Sequence, residues 1–395
     1  MGKYLKKFEN HSQYENYIAS DFAKPNVSIC VQENEVHYNP YVHDYSEDYL
    51  TFVAKGSGTF TFTPKNSNVI SYSTDNGGTW AEGNSVEVSN GDKVLWKGTM
   101  TPSSFNGIGT FSATSNFDVQ GNAMSLLFGD NFKGQTSLTG KNYAFYSLFN
   151  GNTKVINAKN LSLPATILAN YCYNNMFYGC KSLTTAPELP ATTLANYCYY
   201  YMFNGCTSLT AAPALPATTL TSYCYQYMFQ YCTNLTTVPE LPATTLAQYC
   251  YDSMFYYCTS LTTAPELPAT TLAQSCYEKM FYGCTGLTTA PELPATMLAN
   301  YCYYYMFDGC TSLTTAPALP ATTLTSYCYY GMFQGCTSLN YIKAMFTTTP
   351  SSTYTGYWVN GVASSGTFVK NAAAQWDVSG VNGVPTGWTV QTASE

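Results

Sequence analysis

The four residues Leu-Pro-Ala-Thr or their equivalent begin at Leu163, Leu189, Leu215, Leu241, Leu267, Leu293 and Leu319, a spacing of 26 residues with no slippage. One unit reads LPATTLANYCYYYMFNGCTSLTTAPA, from Leu189 to Ala214. A unit this short cannot bury its own apolar side, but stacked copies can bury theirs together. The repeat therefore predicts a solenoid over residues 163–344, with equivalent residues aligned in ladders. Leu183, Leu209, Leu235, Leu261, Leu287, Leu313 and Leu339 would form one ladder, and the Met-Phe pairs starting at Met176 another. Strand pairing along the stack would advance each coil by ~4.8 Å.

Within a unit, Leu194, Cys198, Met202 and Cys206 fall at i, i+4, i+8 and i+12, which predicts one stripe of a helix. Pro190 and the threonines after it suit its start, and Gly205 suits its end. The following CTSLTTAP, closed by Pro213, predicts a short strand. Leu148-Phe149-Asn150-Gly151-Asn152 looks like a degenerate Met-Phe-x-Gly-Cys, with Asn152 at the cysteine place. At the other end, residues 345–395 carry Trp358, Trp376 and Trp388 and predict a cap over the last coil.

Fourteen of the 15 cysteines follow the 26-residue period, and Cys30 alone lies outside it. Their number is a by-product of repetition. Cys-x7-Cys is not a zinc spacing and no histidine falls in the repeats, so the predicted state is a buried free thiol acting as a small hydrophobe. Glu188, Glu240, Glu266 and Glu292 recur at one position. A stacked carboxylate row could hold a calcium ion, but solvated glutamates are the expected state. Neither a metal nor a cofactor is expected.

The unit resembles the BspA-like class of leucine-rich repeat, whose core AF-x-x-C-x-x-L is matched here by Met202-Phe203-Asn204-Gly205-Cys206-Thr207-Ser208-Leu209. The resemblance covers about half of the chain. It implies a leucine-rich-repeat solenoid used for adhesion. Two departures are the 26-residue period and an Ala-Pro where the class prefers β-branched residues.

Upstream, Ser12-Gln13-Tyr14-Glu15 is a capping box that predicts a short helix. From Val27 to about Val119 the apolar pattern has period 2, with turn signals such as Asp75-Asn76-Gly77-Gly78, and predicts an Ig-like β-sandwich. The expected fold class is α+β. Its parts are an N-terminal anchor segment (1–42), the sandwich (43–119), a linker with the N-terminal cap (120–162), seven coils (163–344) and a C-terminal cap (345–395).

The opening is also similar to virion proteins of gut Bacteroidales phages, at Lys3 to Phe8, Tyr14, Pro25-Asn26-Val27-Ser28 and Glu35-Val36-His37-Tyr38-Asn39-Pro40. That resemblance implies a fibre or decoration protein at the virion surface, docked on other virion proteins through its N-terminal region. A homo-oligomer is expected. A bacterial cell-surface adhesin is the alternative, and it would need an export route: the lysines near the start are followed by no apolar stretch, so no Sec signal peptide is expected in these residues.

Composition narrows the function. There are 16 lysines and no arginine, and the net charge is −7. Arginine is the main bidentate reader of phosphate and guanine, so nucleic-acid recognition is not expected. No apolar stretch approaches the ~20 residues of a membrane-spanning helix. Ser73-Thr74-Asp75-Asn76-Gly77-Gly78-Thr79-Trp80 resembles the Asp-box of sialidases, but a single copy without arginine predicts a structural turn. No nucleophile–base pair is apparent, and the chain is expected not to be an enzyme.

Tyrosine points to a surface. The residue after the first cysteine of each unit is Tyr in all seven (Tyr173, Tyr199, Tyr225, Tyr251, Tyr277, Tyr303 and Tyr329), which reads as a semi-buried ladder. The two positions after it, and the pair after Met-Phe, vary among Tyr, Asn, Gln and charged residues. Such variation suits a displayed face, with drift on a solvated face as the alternative. Tyrosine gives a rigid amphipathic contact at low entropic cost. The candidate residues for a host-surface glycan or protein are Tyr200, Tyr201, Tyr227, Tyr231, Tyr256, Tyr257, Tyr304, Tyr305 and Tyr330.

Overall fold

The computed structural model describes residues 43–393 and, before them, the backbone of two strands, β1 (Val27–Gln32) and β2 (Glu35–Pro40), paired antiparallel. The helix expected around Ser12 to Ile18 lies outside the described residues. The described chain is mostly sheet and turn with few helices.

The period-2 region forms two sheets. One contains β3 (Leu50–Ala54), β5 (Ser71–Ser73), β6 (Ala81–Glu82), β8 (Lys93–Lys97), β10 (Phe117–Asn122) and β11 (Val155–Ser162), in the order β11-β10-β3-β8-β5-β6. The other orders β7 (Ser85–Val88), β4 (Gly58–Pro64) and β9 (Gly109–Ala113) as β7-β4-β9. Alternation puts Phe60 and Phe62 of β4, and Val94 and Trp96 of β8, inside. Rings of the two sheets meet edge to face: Phe52 lies 5.5 Å from Phe60 and 4.7 Å from Phe111.

These sheets are continuous with the repeats. β11 pairs parallel with β10, and then bridges at Asn157 to Thr185 of the first unit. Phe111 of β9 donates its N–H to the Leu148 carbonyl, and its own carbonyl accepts from Asn152 Nδ2 at 3.1 Å. Asn152 thereby does what the matching cysteines do further along, where Cys206 Sγ donates to the Phe177 carbonyl and Cys232 Sγ to that of Phe203, both at 3.1 Å. The polar substitution at the cysteine place thus fits a coil whose neighbour is a strand.

The helix expected in each unit is not formed. Tyr197, Tyr199, Tyr201, Phe203 and Gly205 donate their backbone N–H groups to carbonyls of the next coil, while Cys198, Tyr200, Met202, Asn204 and Cys206 donate to the carbonyl three residues back. Tyr197, Tyr201 and Gly205 have φ of +58°, +56° and +71°. The segment is a ribbon of four-residue turns, each closed by a left-handed residue. The physical reason is spacing. Stacked Phe rings of successive coils, from Phe149 to Phe333, lie 5.2–5.8 Å apart. An α-helix is about 10 Å across and cannot stack at that interval. A period of four also drifts by about 40° per step around a helix, whereas it is in register with a four-residue turn.

The expected strand in CTSLTTAP is reduced to single parallel bridges, such as Ala211 to Thr237 and Thr263 to Thr289. Prolines three apart, as in Pro213 and Pro216, remove the donors a longer ladder would need. Full strands return only at the far end, where β12 (Tyr341–Ala344), β13 (Thr367–Lys370) and β14 (Thr389–Thr392) form a parallel sheet. There Trp358 is buried beneath the Phe333 and Tyr329 rings, and its Nε1 donates to the Gly383 carbonyl.

The ladders of Leu, Met, Phe and both cysteine sets are buried throughout the repeats. All 14 repeat cysteines are free thiols. Burial pushes the Cys172 and Cys224 thiols up to about 12, so they are neutral and unreactive at ordinary pH.

Candidate functional site

Each turn ribbon buries its side chains in pairs, Cys198 with Tyr199 and Met202 with Phe203, and leaves the pair between them, Tyr200 and Tyr201, half-buried, and this places tyrosine in two environments. The row Tyr173 to Tyr329 is not semi-buried, as the sequence suggested, but fully buried; its rings stack 5.6–5.9 Å apart. The variable positions lie on one flank, and there the rings are half-buried or exposed.

The nine candidates form three clusters. Tyr201 stacks on Tyr227 at 4.5 Å with Tyr200 edge-on at 4.3 Å. Tyr231, Tyr256 and Tyr257 meet at 4.9–5.7 Å. Tyr304, Tyr305 and Tyr330 meet at 4.5–5.5 Å. Tyr178 and Tyr282 extend the clusters, at 6.0 Å from Tyr201 and 4.7 Å from Tyr256. Desolvation, with neighbouring tyrosines behind it, pushes the hydroxyl of Tyr256 up to about 12.

Two contributors were not singled out by spacing. The tyrosines before the first cysteine form an outer stack, Tyr143, Tyr171, Tyr197, Tyr223 and Tyr249, with centroids 4.4–4.8 Å apart. Ser275 interrupts it, and Tyr301 and Tyr327 resume it. Their signal is the recurring Tyr-Cys-Tyr, whose first tyrosine is replaced within the seven units at Ser275 alone. The other is Phe105, 68% exposed at the tip of a turn in the N-terminal sheets, with its ring 5.2 Å from Tyr143. A phenylalanine among Ser104, Asn106 and Gly107 was a legible sign of an exposed ring.

Phe105, Tyr171, Tyr197, Tyr200, Tyr201 and Tyr231 join Tyr146, Tyr178 and the amides Asn150, Asn174, Asn175, Asn204 and Gln230 around an open cleft of about 610 Å³. Asn204 Nδ2 donates to Gln230 Oε1 at 2.6 Å, which ties adjacent coils. None of the lining residues is charged.

The next coils differ. Asp252 is buried and accepts from Gln226 Nε2 at 2.6 Å and Ser253 Oγ at 2.7 Å. Desolvation, with the Glu278 charge behind it, pushes its carboxyl up to about 7. Lys279 pairs with Glu278 at 2.8 Å and lies 5.3 Å over the Tyr304 ring. Burial also pushes Asp308 up to about 7.

Other candidate chemistry is accounted for locally. Asp75 accepts from the Thr79 N–H at 2.9 Å and from Ser73 Oγ at 2.7 Å, and these bonds hold its carboxyl down at about 2. It organises the turn that seats Trp80 against Tyr49 and Lys97. Glu188, Glu240, Glu266 and Glu292 are exposed.

A family model described as BspA type Leucine rich repeat region matches residues 141–288 and 248–355. The matches together run from the degenerate coil at Tyr143 to past the last full unit, more than half of the chain. Searches of the curated proteins and of the solved structures found no match. With its stacked Met-Phe-x-x-Cys-x-x-Leu cores and the span of that match, the chain belongs to the BspA type leucine-rich-repeat family.

Proposed function

We propose that this chain is a non-catalytic, adhesin-like surface protein whose tyrosine flank grips a glycan or protein on another surface. The observation that supports this reading is the split within one repeat. Interior positions are uniform and buried, whereas the flank positions vary and leave aromatic rings half-exposed. Paratopes use tyrosine in this way because a rigid amphipathic ring gains contact at little entropic cost. In this reading the N-terminal sheets are an Ig-like β-sandwich that carries seven coils, and residues 1–42 attach the chain to its support.

The resemblance of residues 3–40 to phage virion proteins supports a virion surface, with other virion proteins as partners in a homo-oligomeric fibre or decoration. The repeat family supports a bacterial surface. Proteomics of purified particles against cell-surface fractions separates the two.

The adhesive reading is tested by replacing Tyr200, Tyr201, Tyr304 and Tyr305 with Asn, the residue that stands at both equivalent places in Asn174-Asn175. Adhesion of the full chain to target cells should fall at least tenfold with the unfolding midpoint nearly unchanged. Undiminished adhesion would refute the reading.

A further inference from the structure

We infer that the cleft at the N-terminal end of the tyrosine flank binds an uncharged oligosaccharide. The inference rests on the reading of this flank as a recognition surface and names the class of molecule it takes. The open cleft of about 610 Å³ has room for a small oligosaccharide. Its lining is aromatic rings and side-chain amides alone. A pyranose presents a C–H face, whose slightly positive hydrogens suit the negative face of an aromatic ring. It also presents adjacent hydroxyls, which suit an amide's paired donor and acceptor.

Two further observations point to a polar, neutral ligand. Asn174 lines the cleft and is 3% exposed, and its Oδ1 is buried without a hydrogen-bond partner among the described residues. Leaving such an acceptor unpaired is costly, and a ligand donor that reaches it through a small turn of the Asn174 side chain would relieve that cost. The Asn204–Gln230 bond fixes two more amides while leaving Gln230 Nε2 and Asn204 Oδ1 for a further partner. Anionic sugars find no cation in the lining and a chain of net charge −7 around it. The repeats beyond the cleft, with Asp252, Glu278 and Lys279, lack this neutral character.

The repeat itself supplies well-tolerated variants. Gly stands at the place of Tyr231 in five other units, and Asn at the place of Tyr178 in the next one. Tyr231 has φ of +60°, so Tyr231→Gly also relieves the backbone. The test is a glycan array probed with the full chain, covering neutral, sulfated and sialylated oligosaccharides, followed by calorimetry on the best binder. The expected result is a neutral binder whose affinity falls at least tenfold in the Tyr178→Asn/Tyr231→Gly variant. Met297→Thr, which restores the repeat residue at a position 77% exposed and outside the cleft, should leave it unchanged.

No neutral binder, a preference for anionic sugars, or a binder indifferent to the double variant would overturn the inference. Cell adhesion that survives the double variant but is lost with Tyr304→Asn/Tyr305→Asn would do the same while leaving the adhesive reading in place. Adhesion indifferent to every flank substitution would remove both.

Discussion

Tyr199 and Tyr200 are neighbours in the chain, yet one is 1% exposed within a ladder of identical rings and the other is half-buried on a flank where its counterparts are Asn174, Gln226, Asp252 and Glu278. The interior and the flank are thus built from the same residue types under opposite constraints. An interior ring touches its own copies above and below, so a change in one coil leaves a misfit in three. A flank ring also meets rings in the coils before and after it, as Tyr201 meets Tyr178 and Tyr227, but part of its surface stays open, and the unit tolerates Asn, Gln, Asp, Glu or Lys there. The difference teaches that repetition in a solenoid marks its architecture, and that departure from repetition on the flank is where the proposed recognition surface lies.

The largest effect should come from the interior. Phe229→Ala removes a ring stacked on Phe203 and Phe255 at 5.6 and 5.8 Å and should cost about 3–5 kcal/mol, read from denaturant unfolding. Were the cost below about 1 kcal/mol, the interior would not be the continuous packed column described here.

A smaller effect should appear on the flank, with a pH signature. The folded-state value of Asp252, about 7, lies above its value of 3.8 in the absence of the fold. The folded chain therefore holds a proton that the unfolded chain has released between those values. This group's contribution is fully present below about pH 4 and is lost as pH rises through about 7. Asp252→Asn should raise the melting temperature by several degrees at pH 8 and by almost nothing at pH 4. An equal shift at both pH values would contradict the burial of this carboxyl.

How much of this was legible varied with the period of the pattern. Alternation in TFTFTP and DKVLWKG gave strands because period 2 matches one backbone conformation. The 26-residue period gave stacking, ladders and buried thiols for the same reason. The spacing of Leu194, Cys198, Met202 and Cys206 misled, because a period of four is close to 3.6 and local bonding patterns are invisible in a single unit. The coil spacing of ~4.8 Å, set beside the ~10 Å width of a helix, already excluded helices on adjacent coils. At the site, the spacing of the variable tyrosines was legible, while their half-burial and the burial of Asn174, Gln226 and Asp252 at the same positions were not. The cleft was not legible either, because Phe105 reaches it from another part of the chain.

The division between interior and flank is tested most directly by nitrating the folded chain with tetranitromethane and mapping the modified tyrosines by mass spectrometry. Among the tyrosines of the repeats, Tyr178, Tyr231 and Tyr257, exposed by 41%, 44% and 38%, should react first, and the row from Tyr173 to Tyr329 should stay unmodified until the chain is unfolded. Early modification along that buried row, with the flank tyrosines protected, would contradict the account.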